Sequence, residues 1–460
     1  MRFPTSALLS TALIACAAVV AGQSRLPKST LQPEVRALLE IERSAARSIE
    51  SIPDYVCEQT VRRTQLNAKS LAKMEKLLKR RDGKERGGRL VDDFSDVVRL
   101  ETAVVDGKEI YSWPDGEFKP VPLSELVGFG LTATGSFASY ARSLFVTKQG
   151  RIRFVGQQDG LLRYDYRVPQ FRSGYQVTTL QGSATVGYEG SFWASAEERR
   201  LTRITVEGVD LPPSLGLESL SVEIRYRPTD LGDESYVLPE FAKLTMKGWD
   251  GSLKTNEATF ENCRKFGAVS EMSFEVVDEP AQPEPAAVTE TFEVPAGAEL
   301  HVSLRTPIDS QTSRVGDELQ ARLRFNLEVD GRILAPKGSR LIGRLRRLHQ
   351  VARGEDSFYA VSLEFSRLET DHAVARIETE LVRTQAAHNV SRTLQRGPQI
   401  STTRRGSVYG IAGGDARDLT TIVEERDQGL ADADSFYVTG QRFTLNKGFA
   451  MTWRVKPPAP

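Results

Sequence analysis

The sequence predicts a mainly β protein made of two antiparallel domains, and three observations carry that prediction. Apolar and polar residues alternate through most of the chain: in LLRYDYRV, Leu162, Tyr164, Tyr166 and Val168 alternate with Arg163, Asp165 and Arg167, the period of a strand with one buried face. The alternating runs are separated by DG, GG, PP and LGD turns. Helical spacing appears only near the start.

The elements follow in order. Pro33-Glu34-Val35 opens a helix over 33–52, with Val35, Leu38, Ala45, Ile49 and Ile52 on one side, and Pro53 closes it. From Tyr55 the period changes to two. Residues 66–81, LNAKSLAKMEKLLKRR, then give a second helical pattern over 66–80, with Leu71, Met74, Leu77 and Leu78 opposite lysines. Short alternating runs recur at 97–112, 151–156, 184–193, 200–207, 236–247 and 269–277, and SLSVEIRYRP repeats the pattern with Leu220, Val222, Ile224 and Tyr226 inward. DEPAQPEPAAV reads as a semi-rigid linker. Beyond it the alternation returns through Leu300, Val302 and Leu304, then Leu319, Ala321, Leu323 and Phe325, with VSLEFSRLE pairing AVARIETELV. Residues 384–435 read as one long irregular loop, and FTLNKGFAMTWRV as a final hairpin turning at Asn446-Lys447-Gly448. The resulting division is a signal peptide at 1–22, a first domain at 28–277, a linker at 278–290 and a second domain at 291–456.

The leader MRFPTSALLSTALIACAAVVAGQS carries Arg2, an apolar run from Ala7 to Ala21 and small residues before Gln23, so export to the periplasm or the outer membrane is expected. Two processing routes fit it: conventional cleavage after Ala21 or Gly22, or lipidation of Cys16 within Leu13-Ile14-Ala15-Cys16. Export leaves Cys57 and Cys263 in an oxidising space, where a disulfide between them is the expectation and two buried thiols the alternative. Lys plus Arg equals Asp plus Glu at 61 each, which gives no global electrostatic case for nucleic acid. The local exception is 61–90, with eleven basic residues against three acids. That segment reads either as a basic amphipathic helix in peripheral contact with a membrane, or as a helix packed on the sheet with a solvated lysine face.

No enzyme constellation emerges. His301, His349, His372 and His388 are all in the second domain, none at metal-ligand spacing from another, and no GxSxG, P-loop or GxGxxG occurs. No cofactor and no metal are expected. Trp113, Trp193 and Trp249 each lie beside a turn, where core packing competes with a role in lining a ligand cavity.

The stretch from PDYVCEQTVRR through DGKEIYSW, GYEGSFWASAEERRLTRITVEGVDLPPS, VEIRYRPTDLGDESYVLPE and FENCRKFGAVSEMSFE resembles secreted acidobacterial proteins that look related to the outer-membrane lipoprotein carrier and sorting superfamily. The resemblance covers residues 34–277 and implies a curved antiparallel half-barrel whose concave face holds acyl chains under covering helices. VPAGAELHVSLRTPIDSQTSRVGDELQARLRF and DGRILAPKGSRLIGRL, with Pro336, Gly338 and Gly343 at turn positions, resemble the C-terminal β-barrel of the outer-membrane core protein of conjugal-transfer and type IV secretion systems. That implies a second, small antiparallel barrel.

Two functions are expected to compete. One is a non-enzymatic carrier or sensor of a lipid or lipoprotein acyl group, with Tyr164, Tyr166, Val186, Tyr188, Phe192, Ile224 and Tyr226, alternate residues of neighbouring strands, lining an open apolar cleft. The other is a structural module that meets an envelope protein partner and takes no small ligand, its core filled by those same residues.

Overall fold

The computed structural model of the chain describes residues 32–68, 94–106, 108–118, 121, 123–127, 130–134, 136–266, 290–353, 356–385, 390–391, 421–425, 435–440 and 442–457. The leader with Cys16, most of the 66–80 pattern, the 269–277 run, most of the linker and His388 lie outside these residues.

The helix expected at 33–52 is α1 (Pro33–Ser51). Pro33 costs nothing in the first turn, where its missing N–H has no acceptor to lose. Ala37, Ile41 and Ala45 recur every four residues on the buried face. At the other end Ile52 N–H donates to Ser48 O at 3.1 Å, and Pro53 cannot extend the ladder. Two short helices follow further on, α2 (Leu123–Val127) and α3 (Ser136–Ala141), the latter running into a π-helical turn at Arg142–Val146.

The first half contributes β1 (Tyr55–Leu66), β2 (Phe94–Val105), β3 (Lys108–Ser112), β4 (Gly130–Thr134), β5 (Arg151–Gln158), β6 (Leu161–Val168), β7 (Gln176–Thr178), β8 (Ser183–Thr185), β9 (Gly187–Ser195), β10 (Leu201–Val209), β11 (Leu217–Leu231), β12 (Glu234–Gly248) and β13 (Leu253–Lys265). Ten of them form one antiparallel sheet in the order β5-β6-β9-β10-β11-β12-β13-β1-β2-β3. Bulges at Val56/Glu58, Phe154/Gly156, Leu201/Arg203 and Arg225/Tyr226 bend the strands, which curls the sheet into the predicted half-barrel. Leu66, expected to start a helix, is instead the last residue of β1 and pairs with Leu253.

Cys57 lies at the first of those bulges, opposite the Asn262-Cys263 pair, and is bonded to Cys263 with Cα atoms 4.1 Å apart. The bond ties the first strand to the last strand of the half-barrel, as the cysteine count anticipates. On the convex face Arg163, Trp193, Arg203, Arg225 and Phe241 occupy one register row. The guanidinium groups of Arg163 and Arg203 lie 5.5 and 4.6 Å from the Trp193 ring, and that of Arg225 lies 4.1 Å from Phe241. Cation–π contacts therefore occupy Trp193 on the outside, away from any cavity.

The second half adds β14 (Glu290–Thr291), β15 (Glu299–Leu304), β16 (Ile308–Asp309), β17 (Glu318–Leu323), β18 (Leu327–Val329), β19 (Arg332–Ala335), β20 (Arg340–Arg353), β21 (Asp356–Glu369), β22 (Ala373–Arg376), β23 (Thr379–Thr384), β24 (Val390–Ser391), β25 (Thr421–Glu425), β26 (Ser435–Thr439), β27 (Thr444–Leu445) and β28 (Ala450–Val455). An antiparallel circuit runs β15-β17-β20-β21, passes to β22, which continues as β23, and returns through β28 to β15, so the barrel closes. Its interior holds Trp453 edge-on to Phe365 at 5.3 Å. Gly338, at φ +96°, makes the expected turn, but Gly343 sits in the β20 bulge, where a Cβ would run into the Glu364 carbonyl. The final segment departs from a hairpin: β27 pairs with β16, while β28 takes β15 and β23 as neighbours, because both its edges complete the barrel. Residues 384–435 also hold more than a loop, since β25 pairs antiparallel with β4 and parallel with β7 in a separate four-stranded sheet.

β2 links the halves. Phe94 and Ser95 pair with Val351 and Gln350 of β20, and Val98, Leu100, Tyr111, Trp113, Leu123 and Val127 pack into the barrel's apolar cluster. Beside this seam His349, 1% exposed, lies 5.0 Å from the Phe94 ring, and burial first, then the charges of Arg347 and Arg63, hold its imidazole well below the usual 6.5. The unfolded chain takes up a proton that the folded one refuses, so stability is full above 6.5 and falls as the pH drops. Below pH 6.5 the unfolding free energy is expected to fall with pH at this residue, with a slope that steepens toward a limit of about 1.4 kcal/mol per unit. Denaturant titrations of the wild type and His349→Gln check this: the variant should lose that slope.

Candidate functional site

The concave face of the half-barrel is covered by α1, α3 and the 142–146 turn, and the cover is uneven. In the middle it is tight. Phe145 meets Phe192 edge-on at 5.1 Å, Phe192 stacks on Tyr164 at 5.1 Å, and Tyr140 packs against Tyr175 and Tyr188 at 5.5 and 5.6 Å. Three of the phenols there have internal partners: Tyr164 Oη donates to Glu34 O, Tyr166 Oη donates to Thr205 O, and Tyr188 shares a hydrogen bond with Ser143. Burial and mutual proximity push the Tyr140 and Tyr166 hydroxyls well above the usual range, so they stay neutral.

At one end the cover leaves a cavity of about 280 Å³. It is bounded by the last two turns of α1, the start of β1, the end of β2, the β11–β12 bulge and the residues just before β10. Ala45, Ile49, Ile52, Leu201, Tyr226 and Leu238 form apolar walls. Polar groups line it too: Ser44 and Ser48 one helical turn apart on α1, the arginines Arg142 and Arg200, and the carboxylates Glu50, Asp54 and Asp106. Asp106 N–H donates to Asp54 Oδ1 at 2.9 Å, which fixes those two residues side by side. Burial holds the phenols of Tyr55 and Tyr226 well above their usual range, consistent with an apolar interior.

Of the seven residues expected to line the cleft, Tyr226 alone lines this cavity, while Tyr164, Tyr166, Val186, Tyr188, Phe192 and Ile224 are buried in the filled middle. The physical reason is the segment 136–146, whose Tyr140, Ala141, Leu144 and Phe145 occupy the space that α1 leaves open. Alternation shows which way a strand residue points but not what stands opposite it. The polar rim went unread because Ser44 and Ser48 of α1, Arg142 and Arg200 come from three separate segments; one local signal was Arg142 inside the apolar run SYARSLFV.

Two other openings suit a ligand less well. A void of about 50 Å³ lies under α2, lined by Val61, Val98, Leu100 and Leu244 beside the buried Arg63–Asp96 pair, enough for one or two waters at about 30 Å³ each. An open groove on the barrel is bordered by His301, Phe325 and Lys337, with Phe325 57% exposed and edge-on to His301 at 5.7 Å. Trp113 is buried under the Arg346 guanidinium at 4.9 Å, and Trp249 is exposed. Among the described residues no group of His, Cys, Asp or Glu could hold a metal ion, and no helix is long and apolar enough to cross a membrane. In the basic segment Arg63 is buried against Asp96, and residues 69–90 lie outside the described residues.

No protein-family model and no curated protein matches the chain. Among solved structures it is similar to a Vibrio parahaemolyticus domain named for outer-membrane lipoprotein sorting, at 14% identity, covering 51% of this chain and 94% of that one with a TM-score of 0.27. It is also similar to a LolA superfamily protein from Nitrosomonas europaea (10% identity, 50% and 94% covered, TM-score 0.23). A third is a DUF1329 family protein from Desulfovibrio piger (12%, 52% and 98%, TM-score 0.22).

Proposed function

We propose that this protein is a non-enzymatic carrier or sensor of the cell envelope, exported, and that its half-barrel binds the acyl chain of a lipid or lipoprotein. The observation that supports this is the 280 Å³ cavity, with apolar walls and a polar rim, at the end of an otherwise filled concave face. Its size is at the lower edge of the about 300–1,000 Å³ usual for ligand sites, which suits one chain rather than several. Saturable binding of an environment-sensitive fluorescent fatty acid by the purified protein is the test.

A second reading, a structural module that meets an envelope protein, is favoured by the open barrel groove with Phe325 and by the exposed Ile333 nearby in sequence. The two readings concern different halves. Binding of a soluble partner without any uptake of fatty acid would select the second.

A further inference from the structure

We propose that the cavity beneath α1 takes a single-chain zwitterionic amphiphile, an acyl chain ending in a phosphate and an ammonium group. This rests on the acyl-chain reading above and adds the chemistry of the head group.

The rim carries both signs of charge. Arg142 and Arg200 supply two cations, and Glu50, Asp54 and Asp106 supply three carboxylates. Arg142 is half-buried at the start of the 142–146 turn, which packs on α1, the helix that presents Ser44 and Ser48 to the same cavity. Its neighbours in the cover are matched: Arg199 pairs with Glu40 at 2.9 Å and Lys148 with Glu42 at 3.4 Å. Arg200 pairs with Glu198. Arg142 makes no ion pair among the described residues. A guanidinium with two hydroxyls at hand is suited to phosphate oxygens.

The carboxylates require the complement. Asp54 and Asp106 are held together by the Asp106 N–H, and Glu50 is exposed on the last turn of α1. A fatty acid would meet Arg142 but leave the three carboxylates without a cation, and an uncharged glyceride would leave Arg142 without an anion as well. A phosphate on Arg142 with an ammonium on the Asp54–Asp106 side answers both. The volume leaves no room for a second chain.

The experiment is calorimetric titration of the purified protein with palmitoyl lysophosphatidylethanolamine, palmitate and monopalmitoylglycerol, each below its micellar concentration. The lysophospholipid is expected to bind about tenfold more tightly than either of the others. Arg142→Gln should cost it about tenfold and leave the glyceride unchanged, whereas Asp106→Asn should weaken it and leave palmitate no weaker. Equal affinities for the three probes, or palmitate as the tightest, would overturn the head-group assignment while the acyl-chain reading stood. Failure of all three to bind would overturn both. The wild-type comparison decides the matter even where a variant folds poorly.

Discussion

Replacing Cys57 and Cys263 together by alanine is expected to lower the unfolding free energy by up to about 5 kcal/mol. The bond spans 206 residues, and a loop of that length removes about that much chain entropy from the unfolded state in the entropy model. It also pins the bulge where β1 meets β13, with Cys57 buried in the same cluster as α1 and the covering aromatic residues. Loosening that bulge loosens the start of β1, which borders the cavity through Tyr55. Denaturant unfolding of the wild type with and without reductant, beside the alanine pair, measures it. An unchanged midpoint in both comparisons would show that the bond adds nothing to the half-barrel.

Asp96→Ala is expected to destabilise by about 3–5 kcal/mol. The Arg63 and Asp96 side chains are 4% and 1% exposed, and Arg63 Nε donates to Asp96 Oδ1 at 2.8 Å while the terminal nitrogen reaches the second oxygen. Removing the carboxylate takes the Asp96 counter-charge away from a buried guanidinium, in a region whose lining includes Val61, Val98 and Leu244. Replacing both partners at once, as Arg63→Met with Asp96→Leu, removes the uncompensated charge and should recover most of the loss. Equal unfolding midpoints for Asp96→Ala and the double variant would contradict this account.

Much of the fold was legible because the signal was local. Leu162, Tyr164, Tyr166 and Val168 alternate and are all buried, and Pro33 and Pro53 bracket α1 as their chemistry requires. The pairing of β21 with β22 follows from two complementary runs joined by a short turn. What was not legible depended on partners far away in sequence. β27 pairs with β16 and β25 with β4 and β7 because edges elsewhere were open, and no pattern within five residues announces that. Side chains of β2 and α2 join the barrel cluster because the start of β2 pairs with β20, although the alternation of β2 reads the same as that of β1. The cavity was the hardest to foresee. It exists where Phe145 and Tyr140 stop and α1 ends, which is a matter of packing rather than of period.

The central claim is that an acyl chain occupies the space beneath the end of α1. Fluorescent fatty acid titration of the wild type and of Val237→Trp tests it most directly, since Val237 borders the cavity and is only half-buried, so that an indole there adds bulk at the cavity's edge. Substitution within that core, as at the fully buried Ile224, would test folding instead. The account predicts saturable binding by the wild type and at least about tenfold weaker binding by Val237→Trp at an unchanged unfolding midpoint. No saturable binding by the wild type, or equal binding by the folded variant, would contradict it.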